Sequence, residues 1–274
     1  MISALYALVA IGFTLIFGVG SVLNLAHGAT LTIGAFSAFY VAKVFGLGVW
    51  LGALSALVVP AVFAATLYLV MIRRIEDDPI TVMILSLVAA IAVEELIKLF
   101  VGTQPVAIPP LVSGQIAIAG GIQANRVLIF ALSWVVIGFL FVIVNYTTTG
   151  KAILATSMST KGAALVGIET ERMYLLTWLL AGAFAGLAGF FLASVQTATW
   201  SMGRTPLVLS FSIVVLGGLG SIRGSVVGAY VIGFLETMTT SFVDSSLSGL
   251  ASLVVLVFIL LVRPEGLFGR EFAE

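Results

Sequence analysis

The sequence predicts an all-α protein: a polytopic transmembrane helical bundle of eight or nine crossings, built as one domain over residues 1–274. Three observations predict it. First, 61% of the residues are hydrophobic and only 9% are charged, too few to cover a water-facing surface. Second, the apolar residues fall in long runs, many near the ~20 residues that a helix needs to cross hydrocarbon. Third, the runs do not alternate, which argues against a membrane β-barrel. In hydrocarbon an unpaired backbone N–H or C=O costs several kcal/mol, so such runs must be helices. The chain has no Cys, and Lys+Arg 12 balances Asp+Glu 12. Disulfide scaffolds, thiol chemistry and nucleic-acid binding are therefore excluded.

The elements follow in order. Residues 1–23 form an uncharged run, without the basic start of a signal peptide, and read as the first span. Asn24-Leu25-Ala26-His27-Gly28 interrupts the chain, with Asn24 placed to cap the next helix. Runs 29–45 and 47–72 follow, then a charged loop at 73–79, then run 80–101 with Glu94, Glu95 and Lys98 in its last turns. Those three read as a self-neutralising helix end. Residues 102–125 are polar, with a hairpin signal around Gly120-Gly121. Run 126–146 is the fifth span. Residues 147–172 form the longest polar stretch, and 173–199 the sixth span. Run 206–219 is short and suits either a short span or a re-entrant segment. Runs 224–240 and 246–262 complete the set. Gly182, Gly186 and Gly189 share nearly one helix face, a spacing that lets helix backbones approach closely.

Charge orients the chain. With all nine runs crossing, one side carries Arg73, Arg74, Lys151, Lys161, Arg172, Arg223, Arg263 and Arg270. The other carries Lys43, Lys98, Arg126 and Arg204. Eight against four places the first set, loop 147–172 and the C-terminus in the cytoplasm, and loop 102–125 outside.

Catalytic chemistry is sparse. There is one His, no HExxH, no nucleophile–base pair, no metal-ligand spacing and no phosphate loop, since Asn145 stands where the Gly before Gly150-Lys151 would be required. No catalytic or metal-ligating residue is assigned. Charge in the middle of a span is nearly missing, with Glu236 the most interior candidate, which disfavours a proton- or sodium-coupled carrier. A passive channel or structural membrane subunit is the third reading. Hydroxyls and amides on the spans are candidates for a solute path: Thr14, Asn24, Thr30, Thr32, Ser37, Ser86, Gln196 and Ser212.

Four blocks carry a family resemblance. They are Tyr6-Ala7-Leu8 with Asn24 to Gly28, the VGIETERMYLLTWLLAGAFAGLAG segment, VVLGGLGSIRGSVVGAYVIGFLE, and the Arg263 to Gly269 tail. Together, and in this order, they resemble the permease subunits of ABC importers for branched-chain amino acids. The resemblance implies the importer permease fold with short re-entrant elements, in the cytoplasmic (inner) membrane. It implies a second permease subunit, identical or sister, two cytoplasmic ATPases that bind ATP and Mg, and an extracytoplasmic solute-binding protein. It implies no cofactor in this chain and translocation rather than bond chemistry. Urea and short-amide importers look similar at this level. Within loop 147–172 it implies an ATPase-coupling helix of Ser159, Lys161, Ala163, Ala164, Leu165 and Gly167, with Gly162 where the family pattern has Glu and Gly167 one residue early. Asn24, His27, Gly28, Gly217, Gly218 and Gly220 are the structural motif residues. His27 reads as an interfacial hydrogen-bonder, and the glycines as a hinge or a tight turn.

Overall fold

The computed structural model describes residues 1–76, 78–116, 121–244, 247, 249–263 and 266–268. Its elements are α1 (Ile2–Gly20), α2 (His27–Phe39) running into a π turn at Tyr40–Val44, α3 (Val49–Val70), a 3-10 turn at Ile72–Arg74, and α4 (Pro79–Val101). Then come β1 (Gln115–Ile116), β2 (Ile122–Gln123), α5 (Ala124–Tyr146), α6 (Thr148–Met158), α7 (Thr160–Leu165), α8 (Thr170–Val195), α9 (Arg204–Gly217), α10 (Ile222–Phe242) and α11 (Leu250–Val262). The strands pair antiparallel with Gln115 opposite Gln123, as the hairpin signal anticipates; residues 117–120 between them lie outside the described set.

Among the described residues five helices are long and apolar enough to cross a membrane, or six if α9 and α10 form one broken span. The eight or nine crossings expected from the runs exceed this number, and four runs account for the difference. Run 29–45 folds as a 13-residue α-helix and a π turn. Runs 206–219 and 224–240 lie on either side of a 118° bend. Run 246–262 is helical only from Leu250, its residues 245, 246 and 248 lying outside the described set.

The bundle is organised around α1 and α8, whose span windows are 83% and 78% buried, against 22% for α4 and 28% for α5. The close approach on α8 has a local cause. Pro60 cannot donate to the Ala56 carbonyl four residues back. That carbonyl instead faces α8 at Gly186, where a Cβ would lie 2.1 Å from it. Gly182 faces Pro60 and Ala64 in the same way, while Gly189 meets the Leu31 backbone of α2. The glycine face read from the sequence is therefore the seam where α2 and α3 cross α8.

The contacts separate two ends. At the first, Arg73 pairs with Glu171 at 2.7 Å, and Val19 of α1 packs on Ile153 of α6 and Met173 of α8. Gly18 of α1 abuts Gly220 there, and residues 266–268 lie against the C-terminus of α9. At the second end Val106 bridges Ala198, the Lys43 ammonium reaches the Ala107 carbonyl, and Asn125 donates to the Ser194 carbonyl.

Candidate functional site

The chain break at Asn24 to Gly28 is inside the protein. Asn24 is 2% and His27 1% exposed, so both side chains are enclosed by protein. After α1 the backbone turns through Ser21 in the left-handed region and folds back along the bundle. His27 then packs beside Gly12, its Nε2–H donating to the Val9 carbonyl at 3.0 Å. A carbonyl only accepts, which sets the ring tautomer. Phe13 meets the imidazole edge-on with ring centroids 5.7 Å apart. Asn24 does not cap α2: its Oδ1 accepts from the Ala26 N–H at 3.0 Å, two residues before the first full turn, and Ala26 is the cap residue. Ser86 of α4 accepts from the Leu25 N–H at 3.0 Å. Gly28 sits against the backbone of Gly203, where α9 begins, so the starts of two interrupted helices meet with no room for a side chain.

The second interruption is the α9–α10 elbow. Gly218 and Gly220 have φ of 100° and 79°, conformations that a Cβ would strain. Gly217 and Gly224 touch backbone to backbone across it. Ser221 Oγ accepts from the Gly224 N–H at 3.1 Å and starts α10. The tail completes the elbow: Leu267 and Phe268 N–H groups donate to the Leu216 and Gly217 carbonyls, which α9 itself leaves free. Residues 264, 265 and 269 of that tail lie outside the described set.

The hydroxyl and amide candidates do not converge on one path. Thr14, Thr30, Thr32, Ser37 and Ser212 each donate to a carbonyl three or four residues back in their own helix. Thr14 also meets Ser225 at 2.6 Å, between α1 and α10. Ser86 donates to Met83, and Gln196 lies exposed at the end of α8. Individually these are the ways a helix in hydrocarbon satisfies small polar side chains.

In the loop after α5, Ser159 caps α7 by accepting from the Gly162 N–H at 3.0 Å. Gly167 closes α7 with φ 85°, and the Ile168 N–H returns to the Ala163 carbonyl. Ser159, Lys161, Ala164, Leu165 and Gly167 are exposed, whereas Ala163 is 3% exposed and faces the bundle. A residue so placed supports α7 from beneath and offers no surface to a partner. Leu165 and Val166 are 88% and 76% exposed, an apolar tip at the end of the molecule; Val166 was not among the expected coupling residues.

At the second end, Glu94 leaves the expected local cluster. It is buried in α4 and accepts from the Nε–H and one terminal N–H of Arg204 of α9, along one edge of the guanidinium, at 2.5–3.1 Å. Lys98 and Arg204 both lie over the Trp200 ring, at 3.9 and 5.0 Å, and Lys98 pairs with Glu95 at 2.5 Å. Arg204→Ala removes the partner of a buried carboxylate. Because the Arg204 side chain is 60% exposed, the expected cost is about 1–3 kcal/mol rather than that of a fully buried pair. Thermal unfolding checks it: R204A should melt lower than wild type, and adding E94Q should recover part of the loss. Additive losses would show that the pair contributes nothing.

Tyr230 of α10 and Trp134 of α5 form one further polar contact, the indole N–H donating to the phenol oxygen at 2.9 Å. Both residues sit in the middle of apolar runs, and that position was the sequence signal for them.

Comparison with known proteins gives one family model, "Branched-chain amino acid transport system / permease component", matching residues 1–262. The chain is 28% identical over 286 residues to the high-affinity branched-chain amino acid transport system permease protein LivH of Escherichia coli K12, covering 98% of this chain and 92% of that one. It is 27% identical to a probable LivH of Methanocaldococcus jannaschii, covering 99% and 91%, and 26% identical to BraD of Pseudomonas aeruginosa, covering 100% and 94%. No solved structure matches the chain.

Proposed function

The chain belongs to the branched-chain amino acid transport permease family, and from that premise we propose that it is the transmembrane subunit of an ATP-driven importer for branched-chain or other hydrophobic amino acids. The observation that carries this reading is the family match over residues 1–262, nearly the whole helical bundle. Energy comes from elsewhere, since the sequence has no phosphate loop. Two cytoplasmic ATPases hold ATP and Mg, a second permease subunit completes the membrane core, and an external binding protein delivers the solute.

Orientation follows from charge. The first end carries Arg73, Arg74, Lys151, Lys161, Arg172, Arg223 and Arg263; the second carries Lys43, Lys98, Arg126 and Arg204. The excess assigns the first end to the cytoplasm of a multi-pass inner-membrane protein. Arg223 lies over the Phe141 ring at 5.4 Å, a stacked anchor at that level. The α6–α7 loop and the elbow then face the ATPases. The described residues of loop 102–125 and the Glu94–Arg204 pair face the binding protein.

Reconstitution tests the reading. Liposomes holding the chain, its ATPases and the binding protein should import leucine in the presence of ATP, and urea or a polar amino acid poorly. The purified chain alone should hydrolyse no ATP. Import that survives ATP removal but stops with a protonophore would assign it to the gradient-coupled carriers instead.

A further inference from the structure

Between α4 and α5 the chain crosses the second end of the bundle as an irregular strap, Gly102 to Gly114. Pro105, Pro109 and Pro110 keep it out of helix, and it carries no charged residue. It is nevertheless seated in the protein. Val106 exchanges both backbone hydrogen bonds with Ala198, just beyond α8, at 2.9 and 2.8 Å. Ile108 and Leu111 are 6% and 8% exposed and join the main core. Asn125, buried at the start of α5, latches the strap to α8. Its Oδ1 accepts from the Leu111 N–H, and its Nδ2 donates to the Ser194 carbonyl, both at 3.0 Å. The two ends of the strap are anchored apart from this seat. The Gly102 N–H closes α4 on the Lys98 carbonyl, and the Gly114 carbonyl accepts from the Ala124 N–H where α5 begins. Gly102 and Gly114 have φ of 92° and 115°, and open space surrounds the Cβ position of each. Hinges are element-terminal residues of this kind, which absorb a large φ/ψ change. The seat between them is a handful of hydrogen bonds and two apolar side chains, a set small enough to release as one unit.

We propose that Gly102 to Gly114 is a hinged lid over the outer end of the permease. Seated as here, it seals the outer ends of α5 and α8 with Ile108 and Leu111; it lifts from Ala198 and Asn125 when the solute enters. The assignment rests on the permease reading, in which an outward-open state alternates with this closed one.

The native chain contains no cysteine, so introduced thiols report without background. A pair that exchanges both backbone bonds has its Cα atoms roughly 5.5 Å apart, within disulfide reach. Val106→Cys with Ala198→Cys is therefore oxidised in the reconstituted importer, beside each single variant. The disulfide should lower leucine import at least about tenfold, with ATPase retention unchanged, and dithiothreitol should restore import. Cross-linked importer that works at the rate of the reduced form would make the strap a permanent staple, and a pair that does not oxidise would show that the strap is not seated on Ala198; either overturns the proposal. Ile108→Cys reads the motion without a cross-link. Its reaction with an external, membrane-impermeant methanethiosulfonate should quicken at least about tenfold when binding protein, leucine and ATP are all present. Val112→Cys, on the 43% exposed Val112 of the same strap, should react equally in both conditions. An Ile108→Cys rate unchanged by turnover would show that the lid stays down. Failure of the unsubstituted importer to take up leucine would instead sink the permease reading.

Discussion

Valine at position 186 should leave no stable bundle. A Cβ there would lie 2.1 Å from the Ala56 carbonyl oxygen and 2.3 Å from Cγ of Pro60. The same stretch of α8 backbone is met from α2, where a Cβ on Gly34 would lie 2.2 Å from the Gly186 carbonyl. Backbone atoms and a proline ring cannot rotate away as a flexible side chain can. Relief requires α3 to move off α8, which uncovers a helix whose span window is 78% buried. Ordinary overpacking costs about 1–3 kcal/mol; a clash against backbone at this seam should exceed that, a large share of a total stability of ~5–15 kcal/mol. Size-exclusion of detergent extracts and thermal unfolding measure the loss. Gly138→Val on α5 is the control, because nothing lies within 4 Å of its added Cβ. A G186V protein as stable as G138V would show that the seam is looser than described.

Coupling should fail, with the fold intact, when the tip of α7 is made charged. Leu165 and Val166 touch little of their own protein, so Leu165→Arg with Val166→Arg should leave unfolding unchanged. Burying two such side chains against a partner is worth roughly 3–6 kcal/mol. Losing both should weaken ATPase retention by about two to four orders of magnitude. Deleting residues 159–167 should have the same outcome by a blunter route. Co-purification of the ATPases at wild-type levels with the double variant would move the docking surface away from α7. Ala163→Arg should behave differently and destabilise the chain, since Ala163 faces inward.

Much of the architecture is legible in the residues. The long runs anticipate α1, α3, α4, α5 and α8 closely, and the 115–123 pairing is where the turn signal puts it. The glycine face of α8 is both visible in spacing and used in packing. The site was less legible. Glu94 reads as part of a local cluster because its partner, Arg204, is 110 residues away. The hydroxyl candidates share a chemistry, yet each bonds to its own helix. Trp134 and Tyr230 lie in different runs, and nothing in either run indicates that they meet.

The primary structure alone determined that this is a helical membrane protein whose basic residues divide eight to four between alternate breaks in its apolar runs. Both properties follow from sums over neighbouring residues: apolar content sets the solvent, and hydrocarbon then forces the backbone to satisfy itself locally. Only the tertiary structure decided that Asn24 to Gly28 is buried against α1, that α9 and α10 meet at an elbow closed by the tail, and which polar groups are left to face outward. Those outcomes depend on partners far along the chain, and a partner's position in space is not a local property.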